Sequence, residues 1–188
     1  MKSTDQLSDR KREFRQSVAQ KKREIGCETL HSLSVEIIQS LESTDDFKSA
    51  SSILAYYSLP FEVETADAID TWARTKAIYL PVVVGDQLKI KRYNGKSSLS
   101  KGAFGVFEPN GEIVDDLSVI DLVLVPGVAF DKNRNRMGYG KGFYDKLLPQ
   151  MKAKKVGICF DFQLFEEIPT DSFDQSVDFI VSELQIVL

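Results

Sequence analysis

The chain has 188 residues, 43% of them hydrophobic and 28% charged, with a formal net charge of −4, which is the make-up of a globular protein rather than a disordered or fibrous one. That length suits one domain spanning residues 1–188 and leaves a second cramped. No apolar run approaches the roughly 20 residues that cross a bilayer, and Met1-Lys2-Ser3-Thr4-Asp5 lacks the apolar core of a secretory signal, so a cytoplasmic protein without a membrane partner is expected.

Residues 1–24 carry eight Lys/Arg against four Asp/Glu, a net of +4; the remainder, sixteen against twenty-four, carries −8. The opening segment, about 5–24, reads as a helix, with Ser3 and Gln6 placed as a capping box and Phe14 and Val18 on one face. A solvated basic face is one reading of its charge, and a small anion held at one end is another. A nucleic-acid stripe is disfavoured because the acidic remainder would repel a long polyanion. Leu30, Leu33, Ile37, Ile38 and Leu41 predict a second helix with a buried stripe.

The period then changes. Ser52 to Tyr57 is a short apolar run of strand formers, followed by a turn at Pro60 and a third amphipathic helix from about Glu64 to Arg74. Ala77 to Val84 reads as a strand, Gly85-Asp86 as a hairpin turn, and Leu88 to Tyr93 as an alternating, half-exposed antiparallel edge. The stretch from Asn94 to Gly111 is expected to wrap the surface. Leu122 to Val125 predicts a buried strand, Phe143 to Gln150 a short helix, and Val156 to Phe160 and Phe179 to Val181 two further strands. Strands alternating with helices imply a three-layer α/β/α sandwich with a mostly parallel sheet. Cys27 and Cys159 are too few for a disulfide framework or a zinc site and are expected to be thiols.

The segment from Val125 to Asp145 leaves a buried strand and enters a helix, the place where open α/β sheets bind ligands. Gly138, Gly140 and Gly142 would let backbone N–H groups converge on an anion, with the following helix presenting its positive end. Arg136 and Lys141 add full charges. The pattern is neither a Walker A loop nor a Rossmann fingerprint, and spaced glycines alone would also suit a hinge. One histidine, His31, and no nucleophile triad leave the chain suited to holding phosphate and metal rather than to covalent catalysis.

Arg136-Met137-Gly138-Tyr139-Gly140-Lys141-Gly142-Phe143-Tyr144-Asp145, preceded by Val-Pro-Gly-Val-Ala-Phe-Asp, resembles the signature of the 5-formyltetrahydrofolate cyclo-ligase (methenyltetrahydrofolate synthetase) family. Lys11 to Arg15, Glu62 to Thr65, Phe107-Glu108-Pro109 and the 169–183 tail match in order. The resemblance implies ATP- and Mg2+-dependent closure of 5-formyltetrahydrofolate to 5,10-methenyltetrahydrofolate through a phosphorylated formyl oxygen. It further implies that Lys11 and Arg15 contact ATP, and that Arg136, Met137, Gly138, Tyr139, Gly140, Lys141, Gly142, Phe143 and Tyr144 form the ATP loop, with Arg136 and Lys141 catalytic.

By the same resemblance Tyr57, Glu62 and Gly138 to Gly142 would line the folate site, and Asp145 and Asp174 would approach magnesium. Without it, Tyr57 reads as core and Glu62 as a helix-start carboxylate. The chain departs from the family's commoner pattern at Phe173, where many members have His, and at Phe143, where a tyrosine is commoner. Neither change removes a group this mechanism requires. A monomer is expected. A sugar-phosphate isomerase or acyl-CoA transferase relative could share the architecture and anion loop, and a non-catalytic folate- or nucleotide-binding module is the other alternative.

Overall fold

The computed structural model describes residues 2–102 and 105–188, with side chains from Gln6 onward. Helix α1 (Lys2–Ile25) is followed by α2 (Cys27–Ser43), the short α3 (Asp45–Ser49), β1 (Ser52–Leu54), α4 (Ala66–Trp72), β2 (Ala77–Val84) and β3 (Gln87–Arg92). Then come β4 (Leu99–Lys101), β5 (Phe107–Pro109), β6 (Leu122–Val125), β7 (Ala129–Asp131), β8 (Arg136–Met137), α5 (Phe143–Leu147), β9 (Lys154–Ile158), β10 (Leu164–Phe165), β11 (Phe179–Val181) and β12 (Ile186–Val187).

The main sheet has seven strands in the order β12-β11-β9-β6-β1-β2-β3. β11, β9, β6, β1 and β2 run parallel, and the antiparallel β12 and β3 close the two edges. Because side chains alternate across a pleated strand, the buried strands divide their residues between two cores. Ile53, Leu80, Leu122, Leu124, Val156, Ile158 and Phe179 meet Leu30, Ile37 and Leu41 of α2, Phe47 of α3, and Ile69 and Trp72 of α4. Leu54, Tyr79, Val123, Val125 and Ile180 turn the other way, onto Leu147 of α5, Leu148 and Met151. Ile37, Leu41, Ile53 and Leu124 are 0% exposed, and each contributes about 1.5–3 kcal/mol by leaving water. Helical layers on both faces make the expected α/β/α architecture.

Several local expectations shift. α1 begins at Lys2, so Ser3 lies inside the helix rather than before it, and its side chain is outside the described residues. The helix predicted from Glu64 runs only over α4, since the Thr65 hydroxyl donates to the Tyr56 carbonyl at 2.5 Å instead of capping the first turn. The segment 94–111 contains the antiparallel pair β4–β5, not a plain surface wrap. Between β6 and α5 the chain makes a hairpin, β7–β8, which joins β10 in a three-stranded sheet. Its turn is organised by Asp131, whose buried carboxylate accepts from the Asn133 and Asn135 N–H groups and the Asn135 amide, all at 2.9 Å. α1 packs over this small sheet, with Phe14 edge-on to Phe165 at 5.2 Å between centroids.

The parallel strands leave the sheet in two directions. After β1 the chain crosses to β2 on one side; the next parallel strand, β6, lies on the other side of β1. Loops following β1 and β6 therefore part at their carboxyl ends and open a crevice between them, the switch-point position of open α/β sheets.

Candidate active site

A cavity of about 330 Å³ fills that crevice. One wall comes from the loop after β1, with Tyr56, Tyr57, Leu59 and Glu62; the other is the glycine segment, with Arg136, Gly138, Tyr139, Lys141, Gly142, Phe143, Tyr144 and Asp145. Pro81, Val83 and Leu88 line it from the sheet edge, and Val106 and Glu108 from the β4–β5 hairpin.

The glycine wall is built around Arg136, which is 3% exposed. Its guanidinium donates to the Pro126 carbonyl at 3.3 Å and to Asp145 Oδ1 at 2.5 Å, and stands 5.8 Å from the Tyr144 ring centroid. Gly138 is required beside it, since a Cβ there would stand 2.8 Å from an Arg136 terminal nitrogen. Gly140 and Gly142 adopt φ of 94° and 68°, a region that costs residues with a Cβ roughly 1 kcal/mol or more. The helix that follows, α5, is five residues long, so the positive helix end expected from the sequence is a weak contribution and the side-chain cations dominate the wall.

α1 adds two more cations. Arg15 Nε donates to the Gly138 carbonyl at 2.9 Å, and its guanidinium lies over Gly140, 3.6 Å from where a Cβ would be. Lys11 bridges Asp171 at 2.7 Å and Asp174 at 2.5 Å. Burial lowers the Lys11 pKa, but hydrogen bonds and charge from the two aspartates outweigh it and leave the group above its ordinary value. The same lysine holds the Asp171 carboxyl below the usual range.

Opposite, Glu62 is 8% exposed. Its Oε2 accepts from the Leu59 N–H at 2.7 Å and it also bonds the Tyr139 hydroxyl. Burial raises its pKa, and the Leu59 and Tyr139 bonds and the charge of Lys22 pull it partly back. Tyr139 is 51% exposed as a residue, yet burial of its hydroxyl and the adjoining Glu62 carboxylate push its pKa up. The preceding Phe61 sits at φ 67°, a strained conformation for an aromatic residue. It is held there by the Glu62 N–H to Leu59 carbonyl turn and by Ser58–Thr65 bonding across the loop. Tyr57 meets Phe107 of β5 edge-on at 5.7 Å.

The structure thus brings Tyr57, Glu62, Arg136, Lys141 and the glycine segment to one cavity, with Arg15 against the glycine segment and Lys11 one helical turn before it, held by Asp171 and Asp174. Met137 is turned away, into a small apolar cluster with Ala129 and Ile168. His31 lies outside, paired with Glu64 at 2.7 Å on the surface. The sequence reading missed Asp171, Leu59, Val83 and Glu108; Glu108 stood in a quoted block without a role, and its Oε1 accepts the Val83 N–H at 3.1 Å, tying the hairpin to β2.

Two buried polar atoms on the glycine wall, Arg136 Nε and the Tyr144 hydroxyl, find no hydrogen-bond partner among the described residues. An unpaired buried donor costs about 1–3 kcal/mol, so a wall that keeps two of them is suited to an anionic or polar ligand that would pair them. A magnesium ion fits only loosely. Asp145 Oδ1 is engaged by Arg136 and by the Gln175 N–H at 3.2 Å, and Asp174 Oδ2 by Lys11 and the Asp171 N–H. Among the described residues no group of three carboxylate, histidine or cysteine ligands forms a cage. One or two carboxylates beside phosphate oxygens and water are the donor set magnesium commonly takes, and Gln175 bonding Asp145 sets the two aspartates on adjoining segments.

Comparison with known proteins gives the family of the chain. The family model "5-formyltetrahydrofolate cyclo-ligase family" matches residues 7–183. The chain belongs to the 5-formyltetrahydrofolate cyclo-ligase family. Its members are ligases. Among curated relatives, the probable 5-formyltetrahydrofolate cyclo-ligase of Schizosaccharomyces pombe is 30% identical, over 84% of this chain and 87% of that protein. The 5-formyltetrahydrofolate cyclo-ligase of Haemophilus influenzae is 32% identical, over 77% of this chain and 82% of its own. The NMR structure of the Aquifex aeolicus 5,10-methenyltetrahydrofolate synthetase superposes with a TM-score of 0.85 at 36% identity, covering 94% of this chain and 91% of that one. No described helix is long and apolar enough to cross a membrane.

Proposed function

We propose that this cyclo-ligase family member, acting as one domain, converts 5-formyltetrahydrofolate to 5,10-methenyltetrahydrofolate, using ATP with magnesium and releasing ADP and phosphate. The observation that supports it most is the meeting of two unlike walls in one cavity, a cationic glycine wall and an aromatic wall with a buried carboxylate. A formamide carbon is a poor electrophile, and closing the ring requires its oxygen to become a leaving group. In the proposed reaction the γ-phosphoryl group moves to the formyl oxygen and ADP departs. The neighbouring folate amine then forms a bond to the formyl carbon, the carbon–oxygen bond breaks to release phosphate, and the amine proton passes to solvent.

Lys141 and Arg136 would stabilise charge on the transferring group from fixed positions, where such electrostatic help is largest. Lys11 and Arg15 would hold the nucleotide against the loop from Gly138 to Tyr144. Glu62 and Tyr57 would orient the folate, and Phe107 with Tyr57 would keep water from the activated carbon. Magnesium would supply charge neutralisation between phosphate oxygens, with Asp145 as its protein carboxylate and Asp174 beside it.

The test is to mix purified protein with 5-formyltetrahydrofolate and follow the ultraviolet absorbance of the conjugated methenyl product, with and without ATP. Product that forms only with ATP, one ADP for each ring closed, is the expected result. Binding of both ligands without product would make the chain a binding module instead.

A further inference from the structure

The inward stripe of α1 does not end at Arg15. Lys11, Arg15, Val18 and Lys22 follow one another at helical spacing on one face, and Lys11, Val18 and Lys22 are all buried. Lys22 is 7% exposed, an unusual state for a lysine. Its ammonium stands 5.7 Å from the Phe160 ring centroid, and Phe160 follows β9 at the same carboxyl edge of the sheet. Among the described residues no carboxylate comes within the 4.0 Å of a direct ion pair to it. Glu62, Cys159 and the Phe160 ring are the groups it faces. Glu62 in turn is faced by Lys22 from α1, by the Leu59 N–H from its own loop, by the Tyr139 hydroxyl from the glycine wall, and at longer range by Tyr56 and Tyr144.

We propose that Lys22 is a positioning residue for Glu62, a cation set behind the cavity that keeps this buried carboxylate anionic and so able to accept hydrogen bonds from the substrate. The inference rests on the reading of Glu62 as a folate-facing group. It follows from the balance of charges around one carboxylate. Burial, the largest influence, opposes the Glu62 anion; the Leu59 and Tyr139 hydrogen bonds favour it, and Lys22 is the cation that adds to them. The lysine bears a cost of its own, since burial lowers its pKa to about 8 while the Glu62 charge resists that fall. A leucine or methionine would fill the same apolar position more comfortably. The neutral Cys159 thiol, raised by burial, does not compete for the ammonium.

The direct test is a carbon-13 titration of the Glu62 carboxyl in glutamate-labelled protein, the signal assigned by its loss in Glu62→Gln. Lys22→Met should raise the Glu62 midpoint by about one pH unit or more, and Lys22→Arg should restore it. In the same variant the KM for 5-formyltetrahydrofolate should rise about tenfold below the shifted Glu62 midpoint measured in the titration and recover above it, with the KM for ATP unchanged. If Lys22→Met does not fold, Lys22→Gln carries the same expectation. An unmoved Glu62 midpoint in a folded variant overturns the proposal. If the midpoint moves while Glu62→Gln leaves the folate KM unchanged, Lys22 still governs Glu62 and the folate-site reading is what fails.

Discussion

The two walls of the cavity solve opposite electrostatic problems. On the glycine wall and the helix packed by it, positive groups are held in place by paired carboxylates: Arg136 by Asp145, and Lys11 by Asp171 and Asp174. On the wall after β1, a single negative group, Glu62, is held by backbone and hydroxyl donors, with Lys22 behind it. One side is arranged to receive anions and the other to receive hydrogen-bond donors. Each wall keeps its functional charge buried by setting an opposite charge near it, which lets the two faces differ within about 330 Å³.

Removing the cation with the most direct role should break the comparison most severely. Lys141→Ala should lower turnover by about a hundredfold or more, the usual loss for one preorganised charge on a reacting group, with the fold retained. A normal rate at saturating ATP would return Lys141 to the surface charges.

The next effect is on stability and concerns the cation behind the other wall. Lys22 titrates near 8 in the folded protein and near 10.5 when unfolded. Below pH 8 it is protonated in both states; between the two values the unfolded chain binds more protons, so stability rises with pH there. Relative to Lys22→Met, the native protein should gain at most roughly 3 kcal/mol from pH 8 to about 10.5. The paired comparison cancels the opposing contribution of Cys159, and a constant gap across that range in denaturant unfolding would show Lys22 to be solvated.

A smaller change sharpens the account of Asp145. Read from sequence alone, Asp145→Asn should raise the magnesium requirement and slow ring closure with little change in melting temperature. The pairing with buried Arg136 adds a second consequence, a loss of about 1–3 kcal/mol of stability together with a higher magnesium concentration for half-maximal activity. A magnesium titration that does not move would leave Asp145 as the anchor of Arg136 alone.

Much of this arrangement is legible in the chain. Runs such as Leu122 to Val125 and Ala77 to Val84 are long and apolar enough to announce buried strands, and the glycine segment announces an anion loop through its spacing and cations. β7, β8 and β10 escape because two or three residues, with Asp131, Arg136 and Glu166 in or beside them, make neither an alternating period nor an apolar run like Phe179 to Val181. They exist through tertiary bonding, as when Asp131 gathers Asn133, Asn135 and the Ile168 N–H. The partner of Arg136 is hidden for a similar reason: that contact depends on a fold-back that Gly138 permits. Lys22 sits in a visible helical stripe, but charge alone reads it as solvated, and only tertiary packing, which sets it by the Phe160 ring, turns it inward.

The division of the cavity is tested most directly by calorimetric binding of each ligand to two variants. Lys11→Ala with Arg15→Ala should weaken ATP about tenfold or more and leave 5-formyltetrahydrofolate unchanged, while Glu62→Gln should do the reverse, each tenfold loss being about 1.4 kcal/mol. If either variant weakens both ligands equally, or neither, the two walls do not serve separate ligands.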